Sequence, residues 1–568
     1  MGGLFLSILR TMEQKKEIRV RIFLSLVICV LSFFLTHPYQ GISGDAALYL
    51  KSALYGISPE RFAGDLFFIG TSQDSFSLFS FVYRPLILLF GSYNAALFLA
   101  TISLGLWIFA CLFFIRRWTK NVFPVFVFFA VIQYSYGQWA RIGEYLCTAR
   151  TLAEALAILG FAFLFKQKRW TSLVFFLSGT FLHPLMAGWG LPVWLFFFYP
   201  RTIFPIVVLS FLLPLTGWLD VSLFARYDSV WAASITEFYP KAWDLVWLAV
   251  LLSLFIFAYR LFFFKEKRFF RAFLVVFAIA AYWTFAGLAF KNVFLVVTQS
   301  WRIRWLLIFF AVFSVGYFGK EILRPRRAVR LFRARPVLTS LFIGCILFSV
   351  VADVVKTLLS PSFEFNGGVS LESIVLVWPQ SLLILFSVLA VYLLSRKKGL
   401  AFGIIYTICL GVIAAVLFCQ SNFGKSKPDF DEMDAFLRQG TLPFESYIKN
   451  DYGKMLYSCE NCSALGFISA TYYGDHAFVS ISRERFLETR RRVSQILGEP
   501  SVEQKPFEYP YYNFLVSKKI GQPETFRRLL ESGELKYVVS DKPNFLEKSP
   551  LDSLVLPVSR TRIYLFGK

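Results

Sequence analysis

The chain has 568 residues, 57% of them hydrophobic and 19% aromatic, with a mean hydropathy of +0.59, more apolar surface than one soluble core can hide. Its formal charge of +23 sits in short loops between apolar blocks rather than along one soluble face, which argues against a nucleic-acid partner and for membrane lipids as the surroundings. With only 3 histidines (His37, His183, His476) a His-rich metal centre is excluded, and Cys29, Cys111, Cys345 and Cys409 read as small hydrophobes inside apolar blocks.

A basic stretch (Lys15, Lys16, Arg19, Arg21) precedes an apolar run over 22–35. No A-x-A-like cleavage site follows, and the polar residues 38–45 read as a loop, so the run is expected to stay as a first helix. The pattern then predicts about thirteen spans. Their cores lie near 22–36, 86–115, 122–136, 151–165, 171–185, 187–199, 203–218, 245–264, 269–290, 305–318, 337–359, 374–394 and 400–418. Every second loop is basic: the N-terminus, Arg116 with Arg117 and Lys120, Lys166 with Lys168 and Arg169, Arg201, Lys265 with Lys267 and Arg268, the run 320–335, and Arg396 with Lys397 and Lys398. These face the cytoplasm by the positive-inside rule, and an odd number of spans puts the tail outside, in a multi-pass protein of the plasma (inner) membrane. The outer loops 37–85, 219–244 and 291–304 are long enough to carry function.

Hydropathy falls from residue 425 onward. Strands are expected over 464–471, 477–481, 535–540 and 562–566, with helices over 483–497 and 524–532. The fold class is therefore an all-α polytopic membrane domain over 1–424, followed by a small α/β extracytoplasmic domain over 425–568.

Four groups of residues carry potential chemistry. In the first outer loop, Gly41-Ile42-Ser43-Gly44-Asp45-Ala46-Ala47-Leu48-Tyr49 places a carboxylate at the membrane surface, and Gly64-Asp65-Leu66-Phe67-Phe68 places a second one. Asp45 suits a helix N-cap equally well. Arg141, Glu144, Arg150, Glu154 and His183-Pro184 stand at outer helix ends. They read either as the polar wall of an outward-opening cavity or as surface pairs such as Arg150 with Glu154 at i,i+4. Arg302 and Arg304, within Gln299-Ser300-Trp301-Arg302-Ile303-Arg304-Trp305 and with Lys291 upstream, are outer cations against the positive-inside trend. They fit either phosphate oxygens or lipid-headgroup anchoring. Finally, Cys459-Glu460-Asn461-Cys462 predicts a disulfide between Cys459 and Cys462 on the oxidising side of the membrane; a thioredoxin-like role lacks its βαβ context, and zinc lacks two further ligands.

The first outer loop, and the plan of membrane helices followed by an external domain, resemble the GT-C superfamily of membrane glycosyltransferases. That resemblance covers roughly 22–418. It implies inverting transfer of a hexosyl or pentosyl group from a polyprenyl-phosphate sugar donor to a glycan, lipid or protein acceptor of the cell envelope. Asp45 would be the catalytic base and Asp65 a supporting carboxylate. Arg302, Arg304 and Lys291 would hold the donor phosphate, with Arg141, Glu144, Arg150 and His183 in the cavity wall. This chain has Gly44-Asp45-Ala46-Ala47-Leu48-Tyr49 where several GT-C families show paired acidic residues, which leaves the acceptor and a divalent cation open. The competing readings are a transporter or flippase of lipid-linked saccharides and a non-catalytic membrane assembly protein. Glu154, Asp353 and Lys356 fall toward the outer ends of their spans, whereas ion-coupled transporters place such groups near the midplane.

Overall fold

The computed structural model describes residues 2–37, 39, 41–42, 45–69, 77–131, 142–202, 205, 242–263, 266–290, 300–322, 325–346, 386–387, 389–391, 393–394, 400–420, 427–439, 443–448, 451–458, 483–499, 516, 519 and 522–567. Among them the protein is mostly helical with one small sheet. The chain begins with α1 (Gly2–Thr36), α2 (Asp45–Tyr55), α3 (Phe79–Phe90), α4 (Ser92–Arg116), α5 (Phe123–Val131) and α6 (Ala149–Phe165). Then follow α7 (Arg169–Leu182), α8 (Pro184–Ala187), α9 (Gly190–Phe198), α10 (Ala242–Ala258), α11 (Lys267–Phe290), α12 (Arg304–Ile322), α13 (Pro325–Ala334) and α14 (Leu400–Gln420). Among the described residues, three stretches are long and apolar enough to cross a membrane: Lys16–Leu35 within α1, α4 and α12. The expected span 203–218 and most of 374–394 lie outside the described residues.

Two expected spans are divided, each for a local backbone reason. The run 86–115 breaks at Gly91, whose φ is +79°, a region that costs a Cβ-bearing residue energy. The run 171–185 breaks at His183 because Pro184 opens α8. A proline removes one helical donor and pushes the preceding residue out of the α region, and His183 has φ −153° and ψ 96°. The break turns the imidazole away from the regular helix surface.

The bundle interior is aromatic and small-residue in turn. Ring pairs such as Phe114 with Phe313 (5.2 Å, 84°) and Phe161 with Phe310 (5.4 Å, 82°) meet edge to face, the arrangement their quadrupoles favour. α6 packs between α4 and α7. It comes close to α7 because Gly160 faces Phe176 and Gly179 faces the Ala153 carbonyl, where an added Cβ would lie 2.6 and 3.3 Å from its neighbour. A chain of hydroxyls, Ser32 to Ser387 (2.8 Å) and Ser387 to Tyr406 (2.9 Å), joins α1 to α14 inside the apolar layer. At one end of the bundle the basic loops meet: Arg117 lies 3.9 Å from Glu266, and Arg335 donates to the Arg260 carbonyl.

The opposite end carries the C-terminal region, built from α15 (Lys427–Gln439), α16 (Arg483–Leu497), α17 (Pro523–Glu531) and the strands β1 (Met455–Ser458), β2 (Tyr537–Ser540), β3 (Asp552–Val555) and β4 (Arg562–Gly567). The sheet order is β1-β2-β4-β3, with β1 parallel to β2 and the other pairs antiparallel. Because side chains alternate across a strand, Leu456, Val538 and Phe566 face Val493, Ile496, Phe526 and Leu529 of the helices. Met455, Val539 and Leu565 share the other core with Phe430 and Met433 of α15, Tyr93 of α4 and Leu50 and Leu54 of α2. The sheet thus rests directly on the segment 45–69. The helix expected over 483–497 is present, that over 524–532 begins at Pro523, and the last strand is β4. The strands β1 and β3 were not foreseen, and those expected over 464–471 and 477–481 lie outside the described residues.

Candidate functional site

Asp45 opens α2, and its side chain is 35% exposed. A carboxylate in a first helical turn is favoured by the helix dipole. Its Oδ2 accepts from Nη1 of Arg150, a guanidinium only 4% exposed at the start of α6. Glu144 grips the rest of that guanidinium: Nε donates to Oε1 at 2.7 Å and Nη2 to Oε2 at 3.0 Å, the two-pronged geometry that arginine alone provides. Thr148 Oγ1 donates to Glu144 Oε1 at 2.6 Å, and Thr151 Oγ1 to the Glu144 carbonyl at 2.9 Å.

Beside these two carboxylates lies a third. Glu154 Oε2 accepts from Trp107 Nε1 (3.1 Å) and from the Gly143 N–H (2.9 Å), while Oε1 has no partner among the described residues. Gly143 has φ +66°, and a Cβ there would sit 3.0 Å from the Trp107 ring. The Arg150–Glu154 surface pair is therefore not what forms. Arg150 serves Asp45 and Glu144 instead, and Glu154 serves the loop.

Arg302 lies in the 3-10 turn Ser300–Ile303, just ahead of α12, and is 9% exposed. Its Nη1 lies 3.1 Å from His183 Nε2. Since a guanidinium only donates, Nε2 accepts, and the ring is neutral with its proton on Nδ1. Trp305 Nε1 donates to the Met186 carbonyl at 3.0 Å and locks this turn against α8. Tyr49, one turn on from Asp45, joins the groups: it is buried, and the charges acting on its phenol are those of Arg150, Asp45, Arg302 and Glu144. Burial pushes its hydroxyl upward, and the two arginines only partly offset this. Residues read from the sequence as three separate groups thus converge, at the end of the bundle that carries the C-terminal sheet.

Asp65 is placed differently. It is 3% exposed, forms an ion pair with Lys51 of α2, and accepts from the Phe67 N–H at 2.8 Å, capping the 3-10 turn Leu66–Phe68. From α16, Arg485 donates to the Phe67 carbonyl at 3.1 Å and stacks on its ring at 4.8 Å, and Arg492 donates to the Gly64 carbonyl at 2.9 Å. Burial pushes the Arg485 guanidinium down to about 10, against the pull of Asp65. With Asp45 tied to Arg150 and Asp65 to Lys51, a cation bridging both carboxylates would have to displace both basic groups, so the pair does not fit a shared metal. Arg304 begins α12 and is half-buried. Arg141, Lys291, Cys459 and Cys462 lie outside the described residues.

Sequence reasoning gave no role to Lys51, Asp434 or Arg485. Asp434 accepts from the Ser92 N–H at 2.9 and 2.7 Å, capping α4, across 342 positions. Arg485 reaches Phe67 across 418. No local pattern announces such contacts. Tyr49 did carry a signal, its i+4 spacing from Asp45. Comparison with protein-family models, with curated proteins and with solved structures finds no match.

Proposed function

We propose that the protein is a GT-C-like membrane glycosyltransferase that moves a sugar from a polyprenyl-phosphate donor to an acceptor at the external membrane face, with its N-terminus in the cytoplasm. What supports this reading most is the pair of buried, oriented arginines, Arg150 held between Asp45 and Glu144 and Arg302 held by His183, whose charges both act on the buried Tyr49. Transfer needs a base for the acceptor hydroxyl on one side of the anomeric carbon and a cation for the departing phosphate on the other. Asp45, oriented by Arg150, takes the acceptor proton as the new glycosidic bond forms. The sugar–phosphate bond breaks with inversion, and Arg302 neutralises the phosphate, with His183 fixing that guanidinium. Arg304, two residues on at the head of α12, takes a share of the same anion. Asp65 supports α2 through Lys51 rather than touching the reacting atoms.

Purified protein incubated with a panel of polyprenyl-phosphate sugars should release carrier phosphate. D45N should lower transfer by about 10² to 10⁴-fold, the usual cost of losing a general base, and R302Q should raise the donor KM. Transfer by D45N at the parental rate would make Asp45 a helix-terminal charge only. Donor affinity unchanged in R302Q would leave Arg302 as a headgroup anchor.

A further inference from the structure

α12 starts beside the site at Arg304 and ends at Ile322 after 19 residues, about 28 Å at 1.5 Å per residue, which is one hydrocarbon thickness. The chain restarts at Pro325 as α13, a helix of sequence PRRAVRLFRA without a single acidic residue. It therefore lies at the headgroup level of the leaflet opposite the site. At 100° per residue, Arg326, Arg330 and Arg333 fall within an arc of about 60°. Val329 and Phe332 occupy the neighbouring arc, and Leu331 points the other way.

The packing agrees with that wheel. Leu331 joins the cluster of Leu254, Ala258, Phe318 and Phe342, so this side is docked on the bundle. Arg327 donates to Glu321 at 2.7 Å and Arg335 to the Arg260 carbonyl, which tie down the two ends. Val329 (49%) and Phe332 (42%) remain exposed, as do Arg326, Arg330 and Arg333, none of which makes an ion pair among the described residues.

We propose that α13 is a binding surface for the anionic lipid headgroups of that leaflet. A row of cations bordered by an apolar edge matches the depth profile of a membrane surface, with phosphates outside and acyl chains just beneath. An acidic protein partner would satisfy the arginines but gives no reason for Val329 and Phe332 to stand beside them at bilayer level.

The test uses the full chain in nanodiscs of phosphatidylcholine with a minor share of phosphatidylglycerol, followed by brief detergent extraction and native mass spectrometry of the retained lipids. The parent should keep phosphatidylglycerol in excess of its share. R326Q/R330Q/R333Q should keep roughly tenfold less, because each basic residue near a surface adds to the attraction. V329S/F332S should also keep less, with no change of charge, and R527Q/R560Q in the C-terminal region should behave as the parent. All five side chains on α13 are exposed, so both α13 variants should melt with the parent. Equal retention by the triple variant and the parent overturns the proposal, as does an equal loss in R527Q/R560Q. Loss of a co-purified acidic protein or RNA from the triple variant without any change in lipid would overturn it too.

Discussion

Arg150 has its N–H groups divided between two carboxylates, two going to Glu144 and one to Asp45. A lysine there would offer one point charge in place of a fork and could not keep the two-pronged grip on Glu144. The division depends on where Glu144 stands, and that is fixed one residue earlier, by the Gly143 N–H on Glu154 and by Trp107 on the same oxygen. Gly143→Ala should therefore act at a distance. At φ +66° the new methyl is strained by about 1 to 3 kcal/mol, and it meets the Trp107 ring. The expected result is a lower kcat with donor KM little changed, because Arg302 and His183 stand on other segments. Parental kcat at an unchanged melting temperature would show that Glu144 does not set the position of Asp45. E154Q keeps an acceptor for both donors and should retain more activity than G143A.

α16 is the element through which the C-terminal region holds the segment 57–69, by Arg485 on Phe67 and Arg492 on Gly64. Burial alone would raise the Glu488 carboxyl, but hydrogen bonds from Arg491 and Arg492 outweigh it and hold the group below its usual range. A carboxyl depressed in the folded state adds stability that is present above its ordinary value and is lost as pH falls through the folded one. The clamp should accordingly loosen in acid, below the usual glutamate range. Asp434 works the other way: burial raises it despite the bonds from Ser92, so its contribution is fully present below its ordinary value and is lost as pH rises through the folded one. Protection from hydrogen exchange over 57–69, with the intrinsic pH dependence of amide exchange divided out, should fall from pH 7 to pH 4 in the parent and less so in E488Q. An identical pH response in both would exclude Glu488 as the source. Much of this element was readable beforehand, since the amphipathic pattern placed the helix over 483–497 with its observed ends. The breaks at Gly91 and His183 were not, because a run of apolar residues looks the same to a hydropathy average whether or not one backbone dihedral interrupts it. The site was legible as residue types. Their convergence was not, since it depends on how α2, α6, α8 and α12 are brought together.

Across the whole molecule, charge and chemistry are separated. The basic loops meet at one end of the bundle, and the carboxylates, arginines and imidazole of the site gather at the end that carries the sheet. If the basic end is cytoplasmic, a reporter that works only outside the cytoplasm should be active when fused after Lys568. Activity of a cytoplasm-only reporter at that position would invert the topology. The same arrangement has a consequence in time. Phe67 is synthesised 418 positions before the arginine that covers it. At roughly 5 to 20 residues per second, translation alone leaves the segment around Phe67 uncovered for about 20 to 80 seconds. During that interval Phe62, Leu66 and Phe67, all buried in the finished protein, are available to a chaperone, to the lipid surface or to a protease, so the yield of protein should depend on elongation rate as well as on final stability.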